Sequence, residues 1–120
     1  MKKILVIEDE PEMRRNLTAL LRYCDYEPVA ADNGRVGIEA ARRENPDLIL
    51  CDVMMPNITG MDFHARVAEL EPALAARIAF VTGGAFTSSA REFLDRVPNR
   101  RIEKPFDLKA LRALVNELVR

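Results

Sequence analysis

The stretch Leu48-Ile49-Leu50-Cys51-Asp52 is a run of four apolar residues that ends in a carboxylate. A short, continuous apolar run is typical of a strand that is buried on both faces of a parallel sheet. We therefore predict a strand over residues 47–51, with Asp52 directly after it. A carboxylate in this position lies at the exposed edge of the sheet.

Comparable apolar runs occur elsewhere in the chain and also end in polar residues. Together they predict strands over residues 3–8, 27–32, 47–51, 77–82 and 101–103. The polar residues at the ends of the other runs are Glu8 and Asp9, Thr82 and Gly83, and Lys104. If the strands are parallel, these ends meet at one edge of the sheet and bring carboxylates, a hydroxyl and an ammonium group together.

Helical patterns separate the predicted strands. Apolar residues recur at intervals of three and four, for example over residues 13–24, and this spacing predicts amphipathic helices. Residues 34–45 have a weaker pattern, marked by Ile38 and small residues. Pro11 suits the first turn of the first helix, and Asp107 suits the N-cap of the last. We expect five helices, one after each strand.

Strands that alternate with helices imply a parallel sheet covered by helices on both faces. The second strand carries Pro28, so we place it at an edge of the sheet. Right-handed crossovers then favour the strand order 2-1-3-4-5, which is the flavodoxin-like doubly wound α/β fold. In this topology ligands bind where the strand order reverses, between strands 1 and 3. Glu8, Asp9 and Asp52 are predicted to lie there.

The composition indicates one domain over residues 1–120 and argues against several functional classes. The chain has a net charge of −1, from 18 basic and 19 acidic residues. This balance gives no electrostatic footprint for direct binding to nucleic acid or to an anionic membrane. The apolar run after Lys3 is too short for a signal peptide, and no stretch could span a membrane. We therefore expect a cytoplasmic protein.

Some residue types that often carry chemistry are expected to be structural here. Cys24 and Cys51 lie far apart and match no zinc-binding spacing. We expect both to be small residues of the hydrophobic core. His64 falls on the third helix without polar neighbours, so we expect it at the surface.

The carboxylates at the predicted edge require positive charge. Three carboxylates close together repel one another, and Mg²⁺, which prefers oxygen ligands, relieves that repulsion. Lys104 adds a charge suited to an anionic oxygen, Thr82 adds a hydroxyl, and Gly83-Gly84 leaves backbone N–H groups accessible. Such groups around one carboxylate describe a site for a phosphoryl group. Because aspartate is a covalent acceptor of phosphoryl groups, the pattern indicates Asp52 as the phosphorylation site.

Each of these residues also has an ordinary structural interpretation. A lone aspartate often caps a loop, and Asp9-Glu10-Pro11 could simply start the first helix. Thr82 could cap a turn, and Lys104 could be a surface lysine. The functional interpretation is favoured because the residues occur together at four strand ends, in the order that the chemistry requires.

Four motifs stand at these strand ends. They are Ile7-Glu8-Asp9-Glu10, Asp52 with Met55, Pro56 and Gly60, Thr82-Gly83, and Lys104-Pro105-Phe106. With these motifs the chain resembles the receiver domains of response regulators in two-component signalling, over essentially its whole length. The resemblance implies that Asp52 accepts a phosphoryl group from a histidine kinase or a phosphotransfer protein. It also implies an unidentified downstream protein partner, and no catalysis beyond the domain's own phosphorylation and dephosphorylation.

The resemblance assigns a role to each site residue. The implied ligands of Mg²⁺ are Asp9, Asp52, the backbone carbonyl of Met54, and Glu8 mostly through a coordinated water. Thr82 and Lys104 would bind phosphoryl oxygens and so act in catalysis. The peptide bond between Lys104 and Pro105 is expected to be cis.

One position departs from the family pattern. Receiver domains usually carry Tyr or Phe three residues before the lysine, as a switch residue coupled to the threonine, and this chain has Arg101 there. A guanidinium cannot be buried unpaired without a large cost, so we expect Arg101 to stay outward or to pair with an acidic group. The expected switch residues are therefore Thr82, Gly83 and Arg101, with most of the motion at residues 83–88.

The same residues allow other functional classes. The chain could be a stand-alone regulator or the receiver segment of a larger protein, such as a hybrid histidine kinase. A haloacid-dehalogenase-type hydrolase also uses Mg²⁺ and an aspartate, but it carries Asp-x-Asp where this chain has Glu8-Asp9-Glu10. The intact acceptor site disfavours a pseudo-receiver that works without phosphorylation. The chain has no P-loop or dinucleotide fingerprint, which disfavours nucleotide binding.

Overall fold

The computed structural model describes residues 1–55, 57–83 and 87–119. Pro56 and Gly84, both named above, lie outside the described residues. The strands are β1 (Lys3–Ile7), β2 (Glu27–Ala31), β3 (Leu48–Asp52), β4 (Ile78–Thr82) and β5 (Arg101–Glu103). The helices are α1 (Pro11–Tyr23), α2 (Gly34–Glu44), α3 (Gly60–Leu70), α4 (Pro72–Ala75), α5 (Ser88–Arg96) and α6 (Leu108–Leu118).

The strands form one parallel sheet in the order β2-β1-β3-β4-β5, as the sequence predicts. The predicted strand bounds agree with the observed ones to within one residue at each end. Asp52 is the last residue of β3 instead of the first residue after it. The strand that carries Pro28 lies at the edge, where proline is tolerated because one side of the strand makes no ladder hydrogen bonds.

The structure has six helices in its described residues, and the prediction of five is wrong. The additional helix, α4, is a single turn of 4 residues between α3 and β4. Pro72 begins this turn, because proline cannot continue α3 but fits the first position of a new helix. One turn holds too few residues to show a helical repeat in the sequence.

Two hydrophobic layers cover the sheet, one on each face. On one face, α2, α3 and α5 pack over Ile49 and Cys51 of β3, and on the other, α1 and α6 pack over Leu48 and Leu50. Burial on both faces explains why the strands are continuous apolar runs. Among the helices that the structure describes, none is long and apolar enough to cross a membrane.

The helix ends follow the signals in the sequence. Pro11 is the first residue of α1, and Asp107 caps α6 by accepting a hydrogen bond from the N–H of Ala110 at 2.8 Å. Asn33 caps α2, which ends at Asn45 in the left-handed conformation. The start of each of these helices is thereby fixed close to the carboxyl end of the preceding strand, and the loops that carry the polar residues are short.

Two of the structural expectations need correction. Cys51 is fully buried, as expected, but Cys24 ends α1 and is partly exposed. His64 is half-buried instead of lying free at the surface. Its ring centroid is 5.3 Å from that of Phe93 and 6.1 Å from that of Phe80. The contact with Phe93 makes the ring a packing residue between α3 and α5. Burial lowers the pKa of His64 from its ordinary value.

Gly60, the first residue of α3, is held against the end of β3. A Cβ atom on Gly60 would lie 2.7 Å from the backbone oxygen of Asp52 and 2.7 Å from Cα of Val53. The N–H of Gly60 also donates to the carbonyl of Val53 at 3.0 Å. Because these neighbours are backbone atoms, they cannot give way without displacing the end of β3.

We predict that Gly60→Ala lowers the free energy of unfolding by roughly 2–3 kcal/mol, because the added methyl group forces backbone segments apart. Gly83→Ala is the matched control, since no described atom lies within 4 Å of the position of its Cβ. That variant should change stability by no more than about 0.5 kcal/mol. Urea denaturation measures both. Equal stabilities would show that the contact at Gly60 is not a constraint.

Candidate functional site

The carboxylates predicted at the sheet edge come together in the structure. β1 and β3 are neighbours and pair in register up to Ile7 and Cys51, so Glu8 and Asp52 lie side by side. With Asp9 they form a group in which one carboxylate oxygen from each residue lies within 4.8 Å of the others. The group occupies the place where the strand order reverses.

Glu8 and Asp52 are buried, although both are acidic and the sequence predicts an exposed carboxylate at Asp52. Their exposed fractions are 1% and 6%, whereas Asp9 is more open to solvent. Burial, reinforced by the nearby charge of Asp52, raises the pKa of Glu8 to about 7. Glu8 therefore keeps part of its proton near neutral pH. A cation that binds at this site would compete with that proton.

Lys104 supplies positive charge to both buried carboxylates. Its Nζ lies 3.3 Å from Oε2 of Glu8 and 3.4 Å from Oδ2 of Asp52. The side chain starts just after β5, where the N–H of Lys104 donates to the carbonyl of Thr82 at 2.7 Å. The bond to Pro105 is cis, as the resemblance implies. Burial alone would lower the pKa of Lys104, but the charges of Asp52 and Glu8 raise it, so the ammonium group stays charged.

The two carboxylate oxygens of Asp52 have different partners. Oδ1 accepts a hydrogen bond from the backbone N–H of Met54 at 3.1 Å, and Oδ2 accepts one from Lys104 at 3.4 Å. These two contacts fix the orientation of the Asp52 carboxylate. Met54 itself is 38% exposed. The role of the Met54 carbonyl as a metal ligand stays a prediction.

Thr82 ends β4 with its hydroxyl buried. The residue is 1% exposed, and Oγ1 has no hydrogen-bond partner among the described residues. A buried hydroxyl left without a partner costs roughly 1–3 kcal/mol. Asp52 pairs in register with Val81 on the neighbouring strand, so Thr82 stands one residue further towards the sheet edge. Its role in binding a phosphoryl oxygen stays a prediction.

Arg14 belongs to the site but was not singled out by the sequence. Its Nη1 donates to the carbonyl of Glu8 at 2.9 Å and lies 3.5 Å from the carbonyl of Asp9. The guanidinium thus reaches back from α1 over the loop that carries the acidic pair, and it fixes the backbone of that loop. An arginine one turn into the helix after an acidic loop is the signal that could have revealed it.

The geometry fits a hard divalent cation. Among the described residues, Lys104 is the one positive side chain within 4.0 Å of the carboxylates of Glu8, Asp9 and Asp52. The remaining negative charge and the close oxygen atoms suit Mg²⁺, which accepts a few carboxylates and keeps several waters. The arrangement also suits a phosphoryl group, since Lys104 and the hydroxyl of Thr82 can hold its oxygens.

Comparison with known proteins assigns the chain to a family. The family model for the response regulator receiver domain matches residues 4–116. The chain belongs to this family. The receiver domain is 35% identical over 118 residues to the response regulator receiver protein CpdR of Brucella abortus, and the match covers 98% of this chain and 94% of CpdR.

Other relatives differ in length and context. The response regulator ArlR of Staphylococcus saprophyticus is 31% identical over 120 residues, and the receiver domain spans 53% of its length. Among solved structures, the receiver domain of sensor histidine kinase PA1611 from Pseudomonas aeruginosa has a TM-score of 0.87 at 24% identity. The match covers 98% of this chain and 97% of that domain, which was solved with a magnesium ion coordinated in its active site cleft. This likeness establishes the shared fold.

The structure shows where the side chain of Arg101 goes, at the position where the resemblance implies an aromatic residue. It is 42% exposed, and its Nη2 lies 3.5 Å from Oδ1 of Asp95 on α5. We expected Arg101 to stay outward or to pair with an acidic group, and the structure shows both; its role as a switch residue stays a prediction. Gly83 follows Thr82 directly, and residues 84–86 of the expected moving loop lie outside the described residues.

We predict that the metal-free receiver domain loses stability through Glu8 as the pH rises from about 5 to about 7.5. The pKa of Glu8 in the folded state, about 7, lies above its ordinary value of 4.5. Within this window the folded state holds a proton that the unfolded state has released, so raising the pH favours unfolding. The contribution is on the order of 2–3 kcal/mol. Urea denaturation at a series of pH values, with a chelator present, measures it.

Glu8→Gln should remove this part of the pH dependence, because the amide cannot ionise. The variant should be more stable than the parent above pH ~7.5. Glu12→Gln, which changes an exposed glutamate on α1, is the matched control and should follow the parent. Parallel stability profiles for the parent and Glu8→Gln would contradict the assignment.

Proposed function

We propose that Asp52 is the phosphorylation site of this receiver domain. Its phosphoryl group would come from the phosphohistidine of a histidine kinase or of a phosphotransfer protein. The observation that carries the proposal is that Lys104 contacts one oxygen of Asp52, while the neighbouring strand ends in Thr82, whose buried hydroxyl has no partner among the described residues. A purely structural aspartate would leave that hydroxyl unexplained, because buried polar groups normally have a hydrogen-bond partner.

The transfer is a displacement at phosphorus. One carboxylate oxygen of Asp52 attacks the phosphorus atom while the phosphorus–nitrogen bond of the donor breaks. The electron pair of that bond returns to the imidazole of the donor. Contacts from the N–H of Met54 and from Lys104 keep the carboxylate oriented while the donor approaches in line.

Lys104 and Thr82 then bind the transferred group. The ammonium group of Lys104 pairs with a phosphoryl oxygen in place of its contact with Asp52. The hydroxyl of Thr82 donates to a second oxygen and so gains a partner that no described residue provides. Bound Mg²⁺, held by Asp9, Asp52, the Met54 carbonyl and Glu8 through water, would neutralise part of the charge on the transferring group.

We infer that the response spreads from Thr82. Movement of its side chain towards the phosphoryl group acts on Gly83 and, through the hydrogen bond from the Lys104 N–H to the Thr82 carbonyl, on the end of β5. Arg101 connects β5 to α5 through its ion pair with Asp95. A downstream protein that binds the surface of α5 and β5 would therefore sense the change.

The biological setting is inferred from the same chemistry. We propose that residues 1–120 act as one cytoplasmic signalling domain that catalyses only its own phosphorylation and dephosphorylation. The downstream partner is inferred to be a protein and not nucleic acid, because the net charge of −1 offers no basic surface excess. A stand-alone regulator and a receiver segment of a larger protein would use the site in the same way.

We predict that a small phosphodonor such as phosphoramidate, with Mg²⁺, adds one phosphoryl group to the domain, as measured by intact mass spectrometry. Asp52→Asn should abolish the addition, because an amide cannot form the acyl phosphate. Asp32→Asn is the matched control, since Asp32 follows β2 at the same edge of the sheet but lies outside the acidic group. Undiminished labelling of Asp52→Asn would contradict the proposal, as would an unlabelled parent with every donor.

The metal is tested separately from phosphorylation. Because Mg²⁺ would bind the folded state alone, a concentration about ten times Kd should add roughly 1.4 kcal/mol to the free energy of unfolding. Asp9→Asn and Asp52→Asn should lose most of the affinity, and Glu8→Gln should lose less because its contact is through water. Calorimetric titration gives the affinities, with Asp32→Asn as the control. Equal affinity in the parent and the three site variants would refute this ligand set.

A further inference from the structure

A groove runs between α2 and α3 on the outer surface of the domain. Both helices pack on the same face of the sheet, and each follows one strand of a parallel sheet, so they run in the same direction. A cavity of about 500 Å³ in this groove is lined by Arg35, Ile38, Glu39, Ile58, Asp62 and Arg66. A second cavity of about 630 Å³ shares Glu39 and extends the groove to Arg42 and Leu70.

The two walls of the groove carry opposite patterns of charge. Residues at positions i, i+4 and i+7 lie on one side of a helix, and both helices have charged residues at this spacing. The α2 stripe is Arg35, Glu39 and Arg42, in the order positive, negative, positive. The α3 stripe is Asp62, Arg66 and Glu69, in the order negative, positive, negative. The first cavity is lined by Arg35 and Glu39 from α2 and by Asp62 and Arg66 from α3. These two pairs therefore lie at the same level along the groove.

Among the described residues, these charges do not form ion pairs across the groove. All six side chains are exposed. Among the described residues no ion pair within 4.0 Å joins the α2 stripe to the α3 stripe, and the one pair within a stripe is Arg66 with Glu69 at 3.8 Å. Both halves of a complementary charge pattern are therefore displayed to solvent on one surface.

We propose that this groove is the contact surface for a second copy of the chain, related by a two-fold axis parallel to α2 and α3. Such an axis places α2 of each copy over α3 of the other, with the helices running in the same direction. Arg35 then faces Asp62 of the partner subunit, and Glu39 faces Arg66 of the partner subunit. At the third level, Arg42 faces Glu69 of the partner subunit. Symmetry repeats each pairing, so all six contacts join opposite charges.

The charge pattern also rejects the other two-fold arrangement of this surface. A two-fold axis that lies in the plane of the contact but runs perpendicular to the helices would place α2 over α2 and α3 over α3. The facing helices would then run in opposite directions. Arg35 would then face Arg42 of the partner subunit, and Glu39 would face its own copy. Like charges would meet at every level, which is unfavourable. The stripes thus select one relative orientation of two copies.

A second copy fits the groove better than an unrelated helix, because the chain itself carries both complementary stripes at the same spacing. Apolar contact is available too, since Ile38 and Ile58 line the groove and Leu70, which lines its extension, is 40% exposed. Exposed ion pairs are individually weak and are screened by salt. The self-association is therefore weak and strongly dependent on ionic strength, and it does not require phosphorylation of Asp52.

The test is sedimentation velocity of the whole chain over protein concentrations from about 10 µM to about 1 mM. It is run at about 0.02 M and about 0.5 M salt. The parent should associate to a dimer at low salt and dissociate at high salt. Glu39→Arg and Arg66→Glu should each weaken association about tenfold or more, because each replaces two attractions by two repulsions in the symmetric dimer.

The double variant Glu39→Arg with Arg66→Glu should restore association, because it exchanges the two charges and recreates the opposite pairing. Arg15→Glu, an exposed charge reversal on α1 across the sheet, is the matched control and should associate like the parent. A parent that stays monomeric at every concentration would overturn the proposal, even if another protein binds the groove. So would dimers that ignore the single reversals, or a double variant no better than the single ones.

Discussion

Burial of two like charges at one edge of the sheet is the constraint on which the site depends. Glu8 and Asp52 are almost fully enclosed, and two ionised carboxylates cannot stay so close without positive charge. The fold provides one ammonium group, from Lys104, and uses Arg14 to fix the loop behind Glu8. One cation does not balance three carboxylates. The remaining imbalance makes this edge receptive to a metal ion and to the anionic group that a metal ion can help to hold.

The parallel sheet is what allows so few residues to build such a site. Four neighbouring strands end at the same edge, and each contributes one kind of group: β1 and β3 carboxylates, β4 a hydroxyl, and the segment after β5 an ammonium group. Register matters as much as order, because a shift by one residue would turn Asp52 to the other face. The close packing of Gly60 against the end of β3 constrains the backbone that carries Asp52.

The sequence was sufficient for the sheet and for most of the site. The strand order followed from continuous apolar runs and from Pro28 at an edge, and the meeting of Glu8 with Asp52 followed from the order. The single turn of α4 could not be predicted, because one turn contains no repeat. The packing of His64 and the role of Arg14 were missed for a related reason: their partners are aromatic rings on other elements or backbone carbonyls, which leave no local pattern in the sequence.

The contact between Lys104 and Glu8 joins residues 96 positions apart in the chain. During synthesis the acidic end of β1 leaves the ribosome early, and the ammonium group follows only after β2, β3 and β4 have been made. Until β5 docks, closing this edge would bury carboxylates without their cation, which is unfavourable. Completion of the fold and completion of the site are therefore one event, and an unfinished chain lacks the charge that would hold a phosphoryl group.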